Sequence, residues 1–257
     1  MKYFAFSDAH GDCDALMRAV QRYAYEQENS NHTLISLGDN FGRADRGAGS
    51  KGIYEYLTSS KHRNKPICLT GNHELILRSI LFKRDLSISD VFNGENKTLY
   101  SFLGKNLEND AVTPYDIDVL SRSPLMDWLL SLPYYFETPH FIFLHGFLPF
   151  DYNNLNIITD EFVNVSEETW KNASWCDTPS MIRKFEQQCP TGLYNPDGKR
   201  KMVVFGHWHS RQLRECFGSE NDCIDMDSIY HNEKLGLFGL GCCTFYSHNV
   251  EMLVLED

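Results

Sequence analysis

Five short apolar runs in this 257-residue chain each stop at an Asp, an Asn or a His. Tyr3–Phe6 runs into Ser7-Asp8-Ala9-His10-Gly11, Thr33–Leu37 into Gly38-Asp39-Asn40, and Pro66–Leu69 into Thr70-Gly71-Asn72-His73-Glu74. His140–Leu144 is followed by His145-Gly146, and Met202–Phe205 by Gly206-His207-Trp208-His209. Runs this short and this uniformly apolar suit strands covered on both faces. After each of the first three come apolar residues at helical spacing: Leu16, Val20 and Tyr23, then Ile53, Tyr56 and Leu57, then Leu75, Ile76 and Ile80. Three successive strand–helix units predict an α/β fold with a parallel core. Open α/β sheets build their sites at the carboxyl ends of strands, which is where these polar residues stand.

The donor types narrow the chemistry. Residues two apart in extended chain point the same way, so Asp8 and His10 can reach one ion, as can His207 and His209. Asp39 could bridge two ions, Asn72 offers a neutral carbonyl oxygen, and the adjacent His73 can hold or release a proton near neutral pH. Arg43 and Arg46, just beyond Asp39, suit phosphate oxygens because guanidinium is planar and always charged. Singly, each block has a plainer reading: a capped turn with Asp12 or Asp14 as N-cap, a packed histidine at 145, a solvated charged loop around Arg43. Together, Asp8, His10, Asp39, Asn72, His145, His207 and His209 are too many donors for one four-coordinate zinc. Nitrogen and oxygen without thiolate suit two ions such as manganese, iron or zinc. His32, His62, His231 and His248 follow no comparable pattern.

Composition bounds the rest. With 42% hydrophobic residues the chain can bury one large core, and we read residues 1–257 as a single domain. From about residue 78 to 135 the strand signal disappears. Leu125, Leu129 and Leu132 suggest helix there, while Asn93-Gly94 and Pro114 mark breaks, so this stretch reads as a helical insertion walling the site. A second wall is expected from residues 150–200, with Trp170 and Trp175 in the core. Leu237–Leu240 and Met252–Leu255 read as an antiparallel closing pair. The net charge of −11 argues against a broad nucleic-acid surface. No apolar stretch approaches the ~18 residues of a membrane span. Met1–Phe6 meets Asp8 too early for a signal peptide. The eight cysteines, Cys223 among them, form no C-x-x-C pair, as expected of buried thiols in a cytoplasmic protein.

In this order, D-x-H-G, G-D, G-N-H-E, a later His and G-H-x-H, the chain resembles the calcineurin-like metallophosphoesterase superfamily from Asp8 to His209. The resemblance implies a four-layer αββα sandwich. It also implies one ion on Asp8, His10, Asp39 and His209 and a second on Asp39, Asn72, His145 and His207. Such a pair clamps a phosphoryl group and readies a bridging water as hydroxide for in-line attack. His73 would protonate the leaving oxygen.

Within the superfamily the chain is similar to the phosphoprotein phosphatase branch, which includes bacterial and phage serine/threonine phosphatases and symmetrical diadenosine tetraphosphatases. The branch motif G-D-x-V-D-R-G supplies an Asp that supports the catalytic His and an Arg that binds phosphate. Two alignments are open. Phe41 in the V position puts Arg43 at the arginine and Gly42 where the Asp belongs. Alternatively, Asp45-Arg46-Gly47 is the D-R-G after a three-residue insertion, and Asp45 supports His73. Near the C-terminus Leu240 replaces the usual Asp of D-T-G-C. The activity so implied is dinuclear metal-dependent hydrolysis of phosphate monoesters, with phosphoserine or phosphothreonine in proteins, or a small phosphoester, as substrate. The alternatives are a nucleotide hydrolase acting on a diadenosine polyphosphate or a cyclic phosphodiester, and a non-catalytic scaffold of the same fold.

Overall fold

The structure, a computed structural model, describes residues 1–218 and 229–257, so Cys223 lies outside the described residues. The first three apolar runs are strands, each leading into a helix. β1 (Lys2–Phe6) precedes α1 (Cys13–Arg22), β2 (His32–Ser36) precedes α2 (Gly49–Leu57), and β3 (Ile67–Cys68) precedes α3 (Asn72–Lys83). Four helices without a strand follow: α4 (Ile88–Phe92), α5 (Glu95–Leu103), α6 (Pro114–Ser121) and α7 (Pro124–Ser131). Pro114 starts a helix here, where the sequence reading saw a break. At the first helical position its missing N–H costs nothing, and Thr113 caps the turn by accepting from the Asp116 N–H. Then come β4 (Tyr135–Glu137), β5 (Phe141–Leu144), α8 (Glu167–Ser174), α9 (Thr178–Gln188), β6 (Leu193–Tyr194) and β7 (Arg200–His209). The chain closes with α10 (Ser210–Phe217), β8 (Tyr230–Asn232), β9 (Leu237–Gly241), α11 (Thr244–Ser247) and β10 (Leu253–Glu256).

The strands form two sheets, ordered β10-β1-β2-β3 and β4-β5-β7-β9-β8, with β6 paired to β7. β1, β2 and β3 run parallel, as do β5, β7 and β9. The expected antiparallel pairing of the two last strands does not occur. β9 joins β7 in the second sheet, while β10 lies antiparallel to β1 in the first. A dozen residues of separation suits a hairpin, but hydropathy cannot say which sheet an apolar strand joins, and here α11 carries the chain from one to the other.

Alternation along β1 shows why its residues are apolar throughout. Tyr3 and Ala5 face the second sheet and pack with Ile35, Phe143, Val204 and Leu240. Phe4 and Phe6 face outward, onto Leu16 and Val20 of α1 and Ile53 of α2. On the far side of the second sheet, Ile142, Val203 and Phe205 pack with Trp170 of α8, Ile182 of α9 and Leu213 of α10. The layers are therefore helix, sheet, sheet, helix. Trp170 is core as expected, but Trp175 is half exposed, because α8 ends at Ser174 and leaves the indole at the rim of a surface groove.

Candidate dinuclear metal centre

The parallel strands of both sheets end at one edge, so three loops of the first sheet meet two of the second. Asp39, in the turn after β2, stands at the centre. Its carboxylate belongs to two groups of donors, one with His10 and His73 and the other with His145 and His207. His10 Nε2 is 3.7 Å from Asp8 Oδ1 and 3.9 Å from Asp39 Oδ2. His145 Nε2 is 2.9 Å from Asn72 Oδ1 and 3.3 Å from Asp39 Oδ1. All of these residues except His207 are fully buried, and His207 is partly so.

The backbone delivers them at a cost. Asp8, His10, Asp39 and His207 all have positive φ, between 48° and 66°. Left-handed backbone at a non-glycine residue costs of order 1–3 kcal/mol, is commonest at Asp, Asn and His, and clusters at functional sites. Asp8 and His10 thus share a side through turn geometry, where the sequence reading expected an extended chain. Gly206 brings β7 in closely: a Cβ there would collide with Ser7 and come within 2.7 Å of Asp8 Oδ2. The same Asp8 oxygen accepts from the His207 N–H at 3.0 Å.

Buried partners fix the donors. Glu74 accepts from the N–H groups of Asp39 (2.8 Å), Asn40 (2.9 Å) and Gly71 (2.9 Å), tying the second loop to the third. The His73 N–H donates to Asp39 Oδ1 at 2.9 Å. His10 and His145 each donate Nδ1–H to a backbone carbonyl, of Phe41 and Leu37 respectively, which aims Nε2 at the centre. Such outer partners set the tautomer of metal-binding histidines.

The electrostatics fit cations. Burial works against charge on His145, yet the Asp39 carboxylate pushes its pKa up to about 9, so both ring nitrogens donate. A cation held by Asn72, Asp39 and His145 would take the place of that Nε2 proton. Burial raises Asp8 to about 6, with help from Asp39. Burial likewise opposes charge on Asp39, but His145 and His73 hold it well below the usual carboxylate range. His207 is pushed down to about 3 by burial and then by His145, leaving a neutral imidazole of the kind a metal binds.

His73 differs from these histidines in its support. Its Nδ1 is 2.6 Å from Glu95 Oε1, and its buried Nε2 has no hydrogen-bond partner among the described residues and lies 3.9 Å from Asp39 Oδ2. Burial pulls its pKa down, but Asp39 and the bond to Glu95 outweigh this and raise it. Asp45 is not that support: its carboxylate meets Ser101 and Lys97, because the loop turns away after Arg43. Of the two arginines, Arg43 is the one whose charge bears on the centre. Its charge acts on His10, His73 and His207, adding to burial in lowering the first and last. Arg46 instead has Nε 3.9 Å from Asp12 Oδ2, beside the cap of α1. His209 is in neither donor group. The pairing of β7 with β9 shifts register between Phe205 and His209, which breaks the two-residue period, and His209 lines a neighbouring cleft with Arg211, Cys243 and Tyr246. Glu95 had no signature in the sequence beyond an acid in the first turn of a helix.

The sequence model of the calcineurin-like phosphoesterase family matches residues 1–211. No curated protein matches the chain. Among solved structures, one assigned as a diadenosine tetraphosphatase is 16% identical, with 99% of this chain and 89% of that one covered and a TM-score of 0.52. A cold-active protein-tyrosine phosphatase from a psychrophilic Shewanella is 15% identical, with 100% and 75% covered and a TM-score of 0.53. A protein serine/threonine phosphatase from Saccharomyces cerevisiae is 13% identical, with 100% and 80% covered and a TM-score of 0.50. At such identities the likeness is one of fold. No helix among the described residues is long and apolar enough to cross a membrane.

Proposed function

Because the chain belongs to the calcineurin-like phosphoesterase family, we propose that it is a dinuclear metal-dependent phosphatase of phosphate monoesters, acting on phosphoserine or phosphothreonine in proteins. The observation that carries this reading is the convergence of two donor groups on Asp39, with the charge of one arginine, Arg43, bearing on them and one buried imidazole, His73, beside Asp39. Asp8, His10 and Asp39 would hold one ion, with His209 as the further donor that the family resemblance implies. Asp39, Asn72, His145 and His207 would hold the other, and manganese, iron or zinc would each suit such donors. When bound, the ions supply Lewis acidity toward the phosphoryl oxygens and activation of water.

The chain's own groups do the rest. Arg43 takes phosphoryl oxygens through charge-assisted hydrogen bonds and so orients the ester. His73 gives the proton on Nε2 to the leaving oxygen. His73 also lies close enough to Asp39 to be a ligand, but the family resemblance gives it the acid's role, and the Glu95 carboxylate on Nδ1 helps to hold a proton on the ring. A single phosphate matches one arginine and two cations. Further along α3 lies a mostly apolar groove of about 550 Å³, lined by Leu75, Ile76, Phe82, Met126, Leu130 and Trp175 with Arg78, Asp90 and Lys171 among them, which suits a peptide segment. We place the protein in the cytoplasm, as the spacing of its cysteines leads us to expect.

A kinetic panel on the metal-reconstituted protein tests the reading, comparing a phosphopeptide, an aryl phosphate, a bis-aryl phosphate diester and a dinucleoside polyphosphate. Phosphopeptide and aryl monoester should be the fast substrates. Preference for the dinucleoside polyphosphate or the diester would replace this reading with the nucleotide one, and bound metal without turnover would leave a scaffold.

A further inference from the structure

Helix α5 lies far along the chain from the metal loops, yet it reaches the centre through Glu95. This side chain is fully buried, and its Oε1 is 2.6 Å from His73 Nδ1. It stands in the first turn of α5, the end of a helix where negative charge is favoured. The space it enters is the one a side chain at position 42 would need. Gly42 has φ +79°, and a Cβ there would collide with His73 Nδ1 and come within 2.9 Å of Glu95 Oε1.

The same helix grips the arginine loop. The Gly42 N–H donates to Thr98 Oγ1 at 2.8 Å, and Lys97 Nζ donates to the Arg43 carbonyl at 2.6 Å. Just before the helix, the Asn93 carbonyl accepts from the Arg43 N–H at 3.2 Å. At its far end Ser101 Oγ accepts from the Lys51 N–H at 3.1 Å. One inserted element therefore touches both the imidazole and the backbone that presents Arg43.

We infer that Glu95 is the positioning residue of His73, supplied by the helical insertion in place of a carboxylate from the arginine loop, where Gly42 leaves the room. The bond to Nδ1 fixes the ring and keeps Nε2 as the atom that gives the proton. This rests on His73 being the acid. Glu95 itself is in neither donor group.

The test is a double-mutant cycle on the metal-loaded enzyme, read with two substrates. Glu95→Met keeps the length and removes the acceptor, and Glu95→Gln keeps an acceptor oxygen. With a phosphopeptide, whose leaving alkoxide needs a proton, Glu95→Met should lose about 10²-fold in kcat, within the span of general acid catalysis. With 4-nitrophenyl phosphate the loss should be several times smaller, and metal content should be unchanged. Glu95→Gln should restore most of the phosphopeptide rate. In a His73→Asn background neither substitution at 95 should cost anything further. Equal losses on the two substrates, or a further loss in the His73→Asn background, would overturn the inference. If Glu95→Met does not fold, Glu95→Ala takes its place in the cycle, and its loss on the phosphopeptide must likewise vanish in the His73→Asn background. Failure of the acid reading is distinct: His73→Asn would then itself lose equally on both substrates.

Discussion

The strand ends and the arginine loop place their side chains in different ways. Asp8, Asp39, Asn72, His145 and His207 are delivered by the strands that precede them, and their positions are set within each loop by turns, by Glu74 and by carbonyls of neighbouring loops. Residues 42–51 instead take their position from the insertion, through Asn93, Lys97, Thr98 and Ser101. Damage at the strand ends should strike metal binding. Damage to the loop or the insertion should strike phosphate orientation and proton transfer while the metals stay.

The largest effect that can break this division is expected at Asp39. Asp39→Asn should empty or weaken both sites and abolish turnover while the far-ultraviolet circular dichroism stays native, because the carboxylate belongs to both donor groups. Metal analysis showing two ions at full occupancy, with normal activity, would defeat the assignment. His73→Asn belongs to the other side of the comparison. It should keep both metals and lose roughly 10²–10⁴ in rate on a phosphopeptide, with less loss on an activated aryl phosphate. A fall in metal content on that substitution would make His73 a ligand.

The two arginines sharpen the comparison inside one loop. Arg43→Lys should lower phosphate hydrolysis at least about tenfold with metal content intact, because a lysine cannot form the same paired hydrogen bonds. Arg46→Lys should be near neutral, since Arg46 is directed at Asp12. The reverse order would restore the alignment through Asp45-Arg46-Gly47. Inhibition by inorganic phosphate, measured on both variants, reads the same difference without turnover.

The two regions also differ in how far they could be read from the sequence. Asp8, Asp39, Asn72 and His145 follow apolar runs directly, and hydropathy together with the order of the blocks placed them at one edge. That the edge belongs to two sheets came from the family resemblance and not from hydropathy, because a strand of the second sheet such as Phe141–Leu144 is as apolar as one of the first. That His209 lies outside the two donor groups was not legible either, because a register shift in β7 has no mark in the residue types. Glu95 went unread for a stronger reason. It reaches His73 across 22 positions of sequence through the packing of a whole helix, and nothing local to Asn93-Gly94-Glu95 records that contact. The proposal of Arg43 over Arg46 likewise rests on contacts of the insertion that no local pattern records.

A smaller effect is expected in the pH dependence of metal uptake. His145 has its pKa raised to about 9, so in the metal-free protein its protonated form contributes stability below the ordinary histidine range, and that contribution is lost as pH rises through 9. An ion on Asn72, Asp39 and His145 must displace that proton, so affinity should rise with pH up to about 9 and uptake near neutrality should release protons. Asp8, raised to about 6, adds a second release only in more acidic solution. Calorimetry in two buffers of different ionisation enthalpy measures the number, and no release at pH 7 would remove His145 from the second group.

The dinuclear centre is tested most directly by titrating the chelator-treated protein with manganese while following both bound metal and hydrolysis of an aryl phosphate monoester. Two ions per chain should bind, with turnover appearing as the second site fills. Saturation at one ion with full activity, or turnover that persists in the chelator, would contradict a two-ion site built on Asp39.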